Sequence, residues 1–206
     1  MPHATPVYMK PSNKDRLYIA LYARGGDSIM SGGEDNPTAD ADAHFDRYHW
    51  ALLVGPKSEH VHSKGKRFHV KETMMNVNGR TRSQWVFEER DIGMNPTAMI
   101  LVRIMIGKVT SLERVMAVLH SVPIRDNQSG WNCVWWVKEA LDMLRQEGRA
   151  LSRTSVTGWA RVMSTAIWYV KSKEREHRFD GGAPPGLFDM DRVATYSLLK
   201  MQQLIA

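Results

Sequence analysis

Tyr48-His49-Trp50-Ala51-Leu52-Leu53-Val54 reads as a buried β-strand. Aromatic and aliphatic residues fill it, and Gly55-Pro56 closes it after a length suited to a strand rather than a helix. Successive strand side chains point to opposite faces. Tyr48, Trp50, Leu52 and Val54 therefore share one face, and His49, Ala51 and Leu53 the other. A histidine inside such a run is costly unless it is paired. His49 needs a polar partner on a neighbouring element.

Outward from this strand, the pattern stays β-like for about fifty residues. Upstream, Leu17-Tyr18-Ile19-Ala20-Leu21-Tyr22-Ala23 reads as a central strand ending at Gly25-Gly26, after a loose, Pro-containing lead-in at 1–14. Residues 25–46 carry six acids and no Lys or Arg, and read as an acidic, Gly-rich insertion. Downstream, residues 57–71 carry four Lys, one Arg and three His, and read largely as a solvated hairpin. The hairpin leads into a third strand over 67–72, with His69 on the opposite face from Phe68 and Val70. Residues 73–83 read as a loop with a turn signal at Asn78-Gly79, 84–88 as strand four, 91–96 as a loop and 97–109 as a long strand five.

The second half is helical. Thr110 and Glu113 have the spacing of a capping box for a helix whose apolar face is Leu112, Val115, Met116 and Leu119. A second helix opens at Asn132-Cys133 and runs to about Gly148. A third, with caps offered by 152–155, shows Trp159, Val162, Met163, Ala166, Ile167 and Val170 at i, i+3, i+4, i+7 spacing. Gly181-Gly182-Ala183-Pro184-Pro185-Gly186 reads as a linker, and 190–205 as a last helix. Strands followed by helices imply an α+β fold with an antiparallel sheet of about five strands. One domain is expected over 1–178, with 179–206 a linker and C-terminal helix packed on it or extending from it.

Composition narrows the function. With 43% hydrophobic and 24% charged residues the 206-residue chain is ordinary for a globular protein. No apolar run approaches the roughly 18–20 residues of a membrane span, and the N-terminus has no signal pattern. One cysteine allows no internal disulfide, which points to a reducing, cytoplasmic setting. The net charge of +6 is scattered, with no basic run interleaved with aromatics, so nucleic acid is not the expected partner. The charge equally suits an anionic small molecule or an acyl carrier. His60, His62 and His69 lack the further ligands of a zinc site apart from Glu59, and neither Gly-Gly pair is followed by the helix and lysine of a phosphate loop. No metal or cofactor is expected.

The chemistry concentrates in Gly130-Trp131-Asn132-Cys133-Val134-Trp135-Trp136-Val137. Asn132 is a good N-cap, and Cys133 then sits at the positive end of a helix dipole, a position that favours thiolate. A thiol nucleophile needs a base and an orienting group. Among eight histidines, only His49 and His69 lie within strands, and those strands are sequential. Glu72 is the other candidate orienting group, although parity puts it on the opposite strand face. Trp50, Trp131, Asn132 and Trp135 are candidates to line a substrate pocket, and the tryptophans at 135, 136, 159 and 168 are expected mostly in the core.

The segment Tyr48-His49-Trp50-Ala51-Leu52-Leu53-Val54-Gly55, a later strand histidine and a helix opening on Asn132-Cys133 resemble the lecithin:retinol acyltransferase-like thiol enzymes. These belong with NlpC-type peptidases in a circularly permuted papain-like superfamily; the nearest likeness in layout is to small fungal proteins. The resemblance covers about 45–145 and implies a papain-like core with Cys133 as nucleophile, His49 as base and His69 as orienting residue. It also implies that the Cys133 amide helps to hold an oxyanion. The familiar acyltransferases follow Asn-Cys with Glu-His-Phe, where this chain has Val134-Trp135-Trp136. The expected function is cysteine-dependent acyl transfer or hydrolysis of a thioester, ester or amide, free or on an acyl carrier. The alternatives are non-covalent acid–base cyclisation of a biosynthetic, polyketide-like intermediate in the same pocket, and a non-catalytic binding module.

Overall fold

A computed structural model describes residues 14–24, 45–77 and 79–206. The chain forms β1 (Asp15–Ala23), β2 (Tyr48–Pro56), β3 (Lys64–Val77), β4 (Arg80–Gly93), β5 (Ile100–Lys108), α1 (Leu112–Ser121), α2 (Cys133–Glu147), α3 (Trp159–Arg175), β6 (Ala194–Ser197) and β7 (Gln202–Ile205). The α+β class is as the sequence implies. The sheet is larger and mixed: among the described residues it has seven strands in the order β4-β3-β2-β1-β5-β6-β7, antiparallel except for the parallel β5–β6 pair.

The alternation in β1 and β2 builds two unequal faces. Leu17, Ile19 and Leu21 with Trp50, Leu52, Phe68 and Val70 form one side of the main core, which α1, α2 and α3 complete from above. Tyr18, Ala20 and Tyr22 with Ala51 and Leu53 face the other way, in a smaller cluster with Met94 and Met105 and, among the described residues, no helix over it. His49, His69 and Arg103 belong to that second face by the same alternation.

The sequence expectation fails at the β3–β4 hairpin. Residues 73–83 are not a loop: β3 and β4 pair from Lys64↔Gly93 to Val77↔Arg80, and Gly79 takes φ +76 in the turn. The outer arms leave the core and expose Met74 and Met75, so they carry no apolar alternation. β3 also begins at Lys64, which leaves only 57–63 as the connection from β2.

The C-terminal helix expected over 190–205 is β6 and β7, and both join the same sheet. Residues 194–205 therefore complete the domain rather than append to it. Ser197 and Thr195 are buried beside β5, while Tyr169 Oη donates to the Ile205 carbonyl at 2.8 Å and Arg178 donates to the Asp189 and Arg192 carbonyls at 3.0 and 2.7 Å. Tyr169 thus ties β7 to α3, and Arg178, just past α3, holds the 179–193 crossover.

Two helix starts also differ. Ser111, not Thr110, caps α1 by accepting from the Arg114 amide at 3.3 Å. Gly158 precedes α3 with no side-chain cap, and Ser152 and Ser155 instead form a turn beside β5. Of the acidic insertion over 25–46, residues 25–44 lie outside the described residues. Among the described residues no helix is long and apolar enough to cross a membrane.

Candidate functional site

α2 starts where the sheet opens. β2 pairs with β3 only over Leu52↔Phe68, Leu53↔Arg67 and Val54↔Lys66, so towards Tyr48 the two strands part. α2 packs against both strands, and its first residue, Cys133, meets β2 at Trp50. Asn132 holds the turn from two sides: its Oδ1 accepts from the Val134 amide at 2.9 Å, and its Nδ2 donates to Asp46 Oδ1 at 2.9 Å. Gly148, with φ 75, ends the helix in a left-handed cap.

This places Cys133 fully buried against Trp50. Its sulfur accepts from Arg24 Nη2 at 3.6 Å and from the Trp50 backbone amide. Burial pushes the thiol up from its ordinary value, against the Trp50 amide and the Arg24 charge, so the resting group is a neutral thiol.

On the other face, three titratable groups form a chain across three strands. His49 Nε2 lies 2.6 Å from His69 Nδ1, and His69 Nε2 lies 2.9 Å from Glu88 Oε2. Glu88 stands directly opposite His69 in the β3–β4 register and also accepts from Arg67 at 2.9 Å and Lys71 at 2.5 Å. Hydrogen bonds from His69, Lys71 and Arg67 pull its carboxyl down to about 2. Burial takes His49 down to about 3, with His69, Arg24 and Arg67 adding to the effect. Burial also lowers His69, although Glu88 opposes it.

The proton positions follow. A carboxylate only accepts, so the His69 proton is on Nε2. A neutral His69 then presents a lone pair at Nδ1, and His49 donates to it from Nε2. A neutral His49 is left with its lone pair on Nδ1, which is the tautomer of a general base.

The two halves meet at Trp50, whose amide touches the sulfur and is bonded to the His49 carbonyl carbon. Arg24 adds a second link, since it donates to the sulfur and its charge acts on His49. The sulfur's hydrogen-bond partners among the described residues are Arg24 and Trp50, not His49.

Comparison of the chain with protein families matches residues 14–205, nearly its whole length, to a family of unknown function, DUF6914. The chain belongs to DUF6914. No curated protein and no solved structure matches it.

In this DUF6914 chain the residues expected at the site fall into three groups. His49 and His69 are in direct contact, and Cys133 and Asn132 lie at the same end of β2. Trp50 and Trp131 are core residues: Trp50 donates from Nε1 to the Phe45 carbonyl at 3.0 Å, and Trp131 stacks edge-on against Trp85 at 5.8 Å. Trp135 and Trp168 are exposed rather than core, 40% and 51% respectively, with Lys138 over the Trp135 ring at 4.8 Å. Glu72 is occupied elsewhere, accepting from Ser83 on the neighbouring strand. Sequence reasoning missed Glu88 and Arg24. Glu88 needed the hairpin register, whereas Arg24 had a signal in its place directly before Gly25-Gly26, the end of the strand that pairs with β2. Among the described residues no group of three or more His, Cys, Asp and Glu is arranged to hold a metal ion.

Proposed function

We propose that this protein is a cysteine-dependent acyl-transfer enzyme acting on a thioester, ester or amide, with Cys133 as nucleophile and His49 as general base. The observation that carries the reading is the Glu88–His69–His49 chain. It leaves His49 with an open Nδ1 at the residue whose neighbour's amide touches the Cys133 sulfur. The resemblance to permuted papain-like thiol enzymes supports the same assignment, with Glu88 added behind His69.

In the reaction a shift at the end of β2 and the first turn of α2 brings the Cys133 sulfur to His49 Nδ1, which takes the thiol proton as sulfur attacks the acyl carbon. The Cys133 amide, first in α2, and the Arg24 guanidinium stabilise the oxyanion. Collapse breaks the bond to the leaving thiol, alcohol or amine, which takes the proton from His49, and Cys133 is left as a thioester. Water or an acceptor nucleophile, deprotonated by His49, attacks that thioester; the acyl group departs as acid or transfer product, and the sulfur regains its proton. Because the resting thiol is neutral, proton transfer accompanies attack rather than preceding it. The lone cysteine suits a reducing, cytoplasmic setting, and the acyl group arrives free or on a carrier.

The test is turnover of acyl-thioester and acyl-amide panels with intact-mass measurement of Cys133. Cys133→Ala with retained fold should abolish turnover and the acyl adduct, and His49→Asn should slow acylation by about 10²–10⁴-fold. Turnover that survives Cys133→Ala overturns the reading. A second reading, non-covalent acid–base catalysis by His49, is favoured by the complete burial of the sulfur. It requires activity to survive Cys133→Ala and to be lost in His49→Asn.

A further inference from the structure

The face of the sheet opposite α1, α2 and α3 carries a groove of about 410 Å³, within the usual range for small-molecule sites. Tyr22 on β1, Arg67 on β3, Arg90 on β4 and Arg103 on β5 all contribute to its wall. Three of these four residues are cationic, and two of the cations are incompletely satisfied. Arg103 is only 1% exposed; its Nη2 donates to Glu59 at 2.9 Å and to Thr195 at 3.4 Å, while its Nε is buried with no partner among the described residues. Arg67 repeats the pattern: Nη2 donates to Glu88 at 2.9 Å, and Nε is buried and unpartnered.

Buried N–H groups without acceptors are rare, because each has given up water for nothing. Here the two arginine orphans belong to residues that line one groove, while the other two such groups among the described residues, Trp131 and Trp136 Nε1, lie in the main core. The Arg67 guanidinium lies 5.7 Å from the centre of the Tyr22 ring, and the positive charges of Arg67 and Arg103 both act on the Tyr22 phenol. Arg67 also stands directly opposite Arg90 in the β3–β4 ladder, a like-charge pairing that an anion would relieve. Glu88 and Glu59 neutralise part of this charge without reaching either Nε.

The rest of the wall sets apolar Leu53, Ile92, Met94, Pro96 and Ile100 beside Asn95, Thr97 and Asp91, whose carboxylate is already paired with Lys66 at 2.8 Å. An inorganic anion would leave that surface wet and unused. We propose that the groove binds a small organic acid, with its carboxylate taken by Arg67, Arg103 and Tyr22 and its apolar body laid along Leu53, Met94 and Ile100. The proposal rests on the groove alone and does not require Cys133 to be a nucleophile.

The test is calorimetric titration of the full chain with octanoate and benzoate, with octanol and inorganic phosphate as controls. Saturable one-to-one binding of at least one carboxylate is expected, with octanol silent and phosphate at least tenfold weaker. Arg103→Lys keeps the charge for Glu59 but loses the Nε donor, and should weaken binding at least tenfold. Arg90→Gln lies on an exposed edge-strand position that cannot unfold the sheet, and should weaken binding severalfold. The site is overturned if neither carboxylate saturates, if octanol or phosphate binds as tightly, or if both variants bind like the parent. None of the probes is an acyl donor, so this failure would leave the Cys133 chemistry standing.

Discussion

His49 Nε2 and His69 Nδ1 are 2.6 Å apart on adjacent strands, and neither ring is charged at neutral pH. A second proton on the His49 ring would face burial, the other imidazole, and the positive charges of Arg24 and Arg67. Stability should therefore depend on pH with a definite sign. The folded-state value of His49 is depressed from 6.5 to about 3, so between those limits the unfolded chain binds the extra proton and the folded chain does not. Stability contributed by neutral His49 is full above pH 6.5 and is lost as pH falls towards 3, on the order of 3–5 kcal/mol across the window. Urea unfolding at pH 7, 5 and 4 should show this loss. His49→Gln should flatten the slope; an unchanged slope would mean that other groups carry it.

Burial and two neighbours set the reactivity of the thiol. Cys133 is held as a thiol by burial, and Arg24 and the Trp50 amide only partly offset that. Iodoacetamide labelling of the native protein should show an apparent pKa above that of a free cysteine. Arg24→Gln removes a donor and a positive charge from the sulfur, and should raise the value further and slow labelling at pH 8. Faster labelling in Arg24→Gln would show that Arg24 shields the sulfur more than it activates it.

The legible parts of this fold were those with a local cause. The alternation in 48–54 identified β2 and its two faces. Asn132 and Gly148 marked both ends of α2 through cap chemistry that depends on neighbours only. The His49–His69 contact could be anticipated because sequential strands usually pair. Glu88 could not, because its role depends on a register that runs the whole length of β3 and β4. Those strands are polar at their outer ends, so nothing in their pattern distinguished them from a loop. β6 and β7 failed for the opposite reason. Val193, Ala194, Leu198 and Leu199 fit helical spacing as well as short strands, and only the parallel edge offered by β5 decides between them.

Asn132 does two jobs that substitutions can separate. Asn132→Ala loses the cap on Val134 and the link to Asp46, and should cost about 1–2 kcal/mol. Asn132→Asp keeps the cap acceptor but sets a carboxylate against Asp46, so it should retain most of α2's stability while releasing Asp46. Thermal melts should rank parent, Asp and Ala in that order. If the link to Asp46 is what positions the sulfur, Cys133 labelling should change in both variants. If only the cap matters, it should change in Ala alone.

The junction of β2 and β3, which fixes how far the two histidine strands run together, depends on a close backbone approach at Gly65. A Cβ there would collide with the Val54 carbonyl oxygen and stand 2.5 Å from Met94 Sδ. The Met94 side chain can move, but the Val54 carbonyl belongs to the β2–β3 ladder and cannot yield without opening it. Gly93, paired opposite Lys64 at the far end of β4, has open space around the same added atom. Gly65→Ala should therefore destabilise by about 2–4 kcal/mol, in the range of overpacking with backbone displacement, while Gly93→Ala should stay within about 0.5 kcal/mol of the parent. Urea unfolding of the two variants measures the difference. The same pair tests whether the site depends on the junction. Displacing β3 moves His69 away from His49, so Gly65→Ala should flatten the acid-side stability slope assigned to His49, and Gly93→Ala should preserve it. Equal stabilities in the two alanine variants would mean that β3 does not approach β2 at Gly65 as closely as the structure has it.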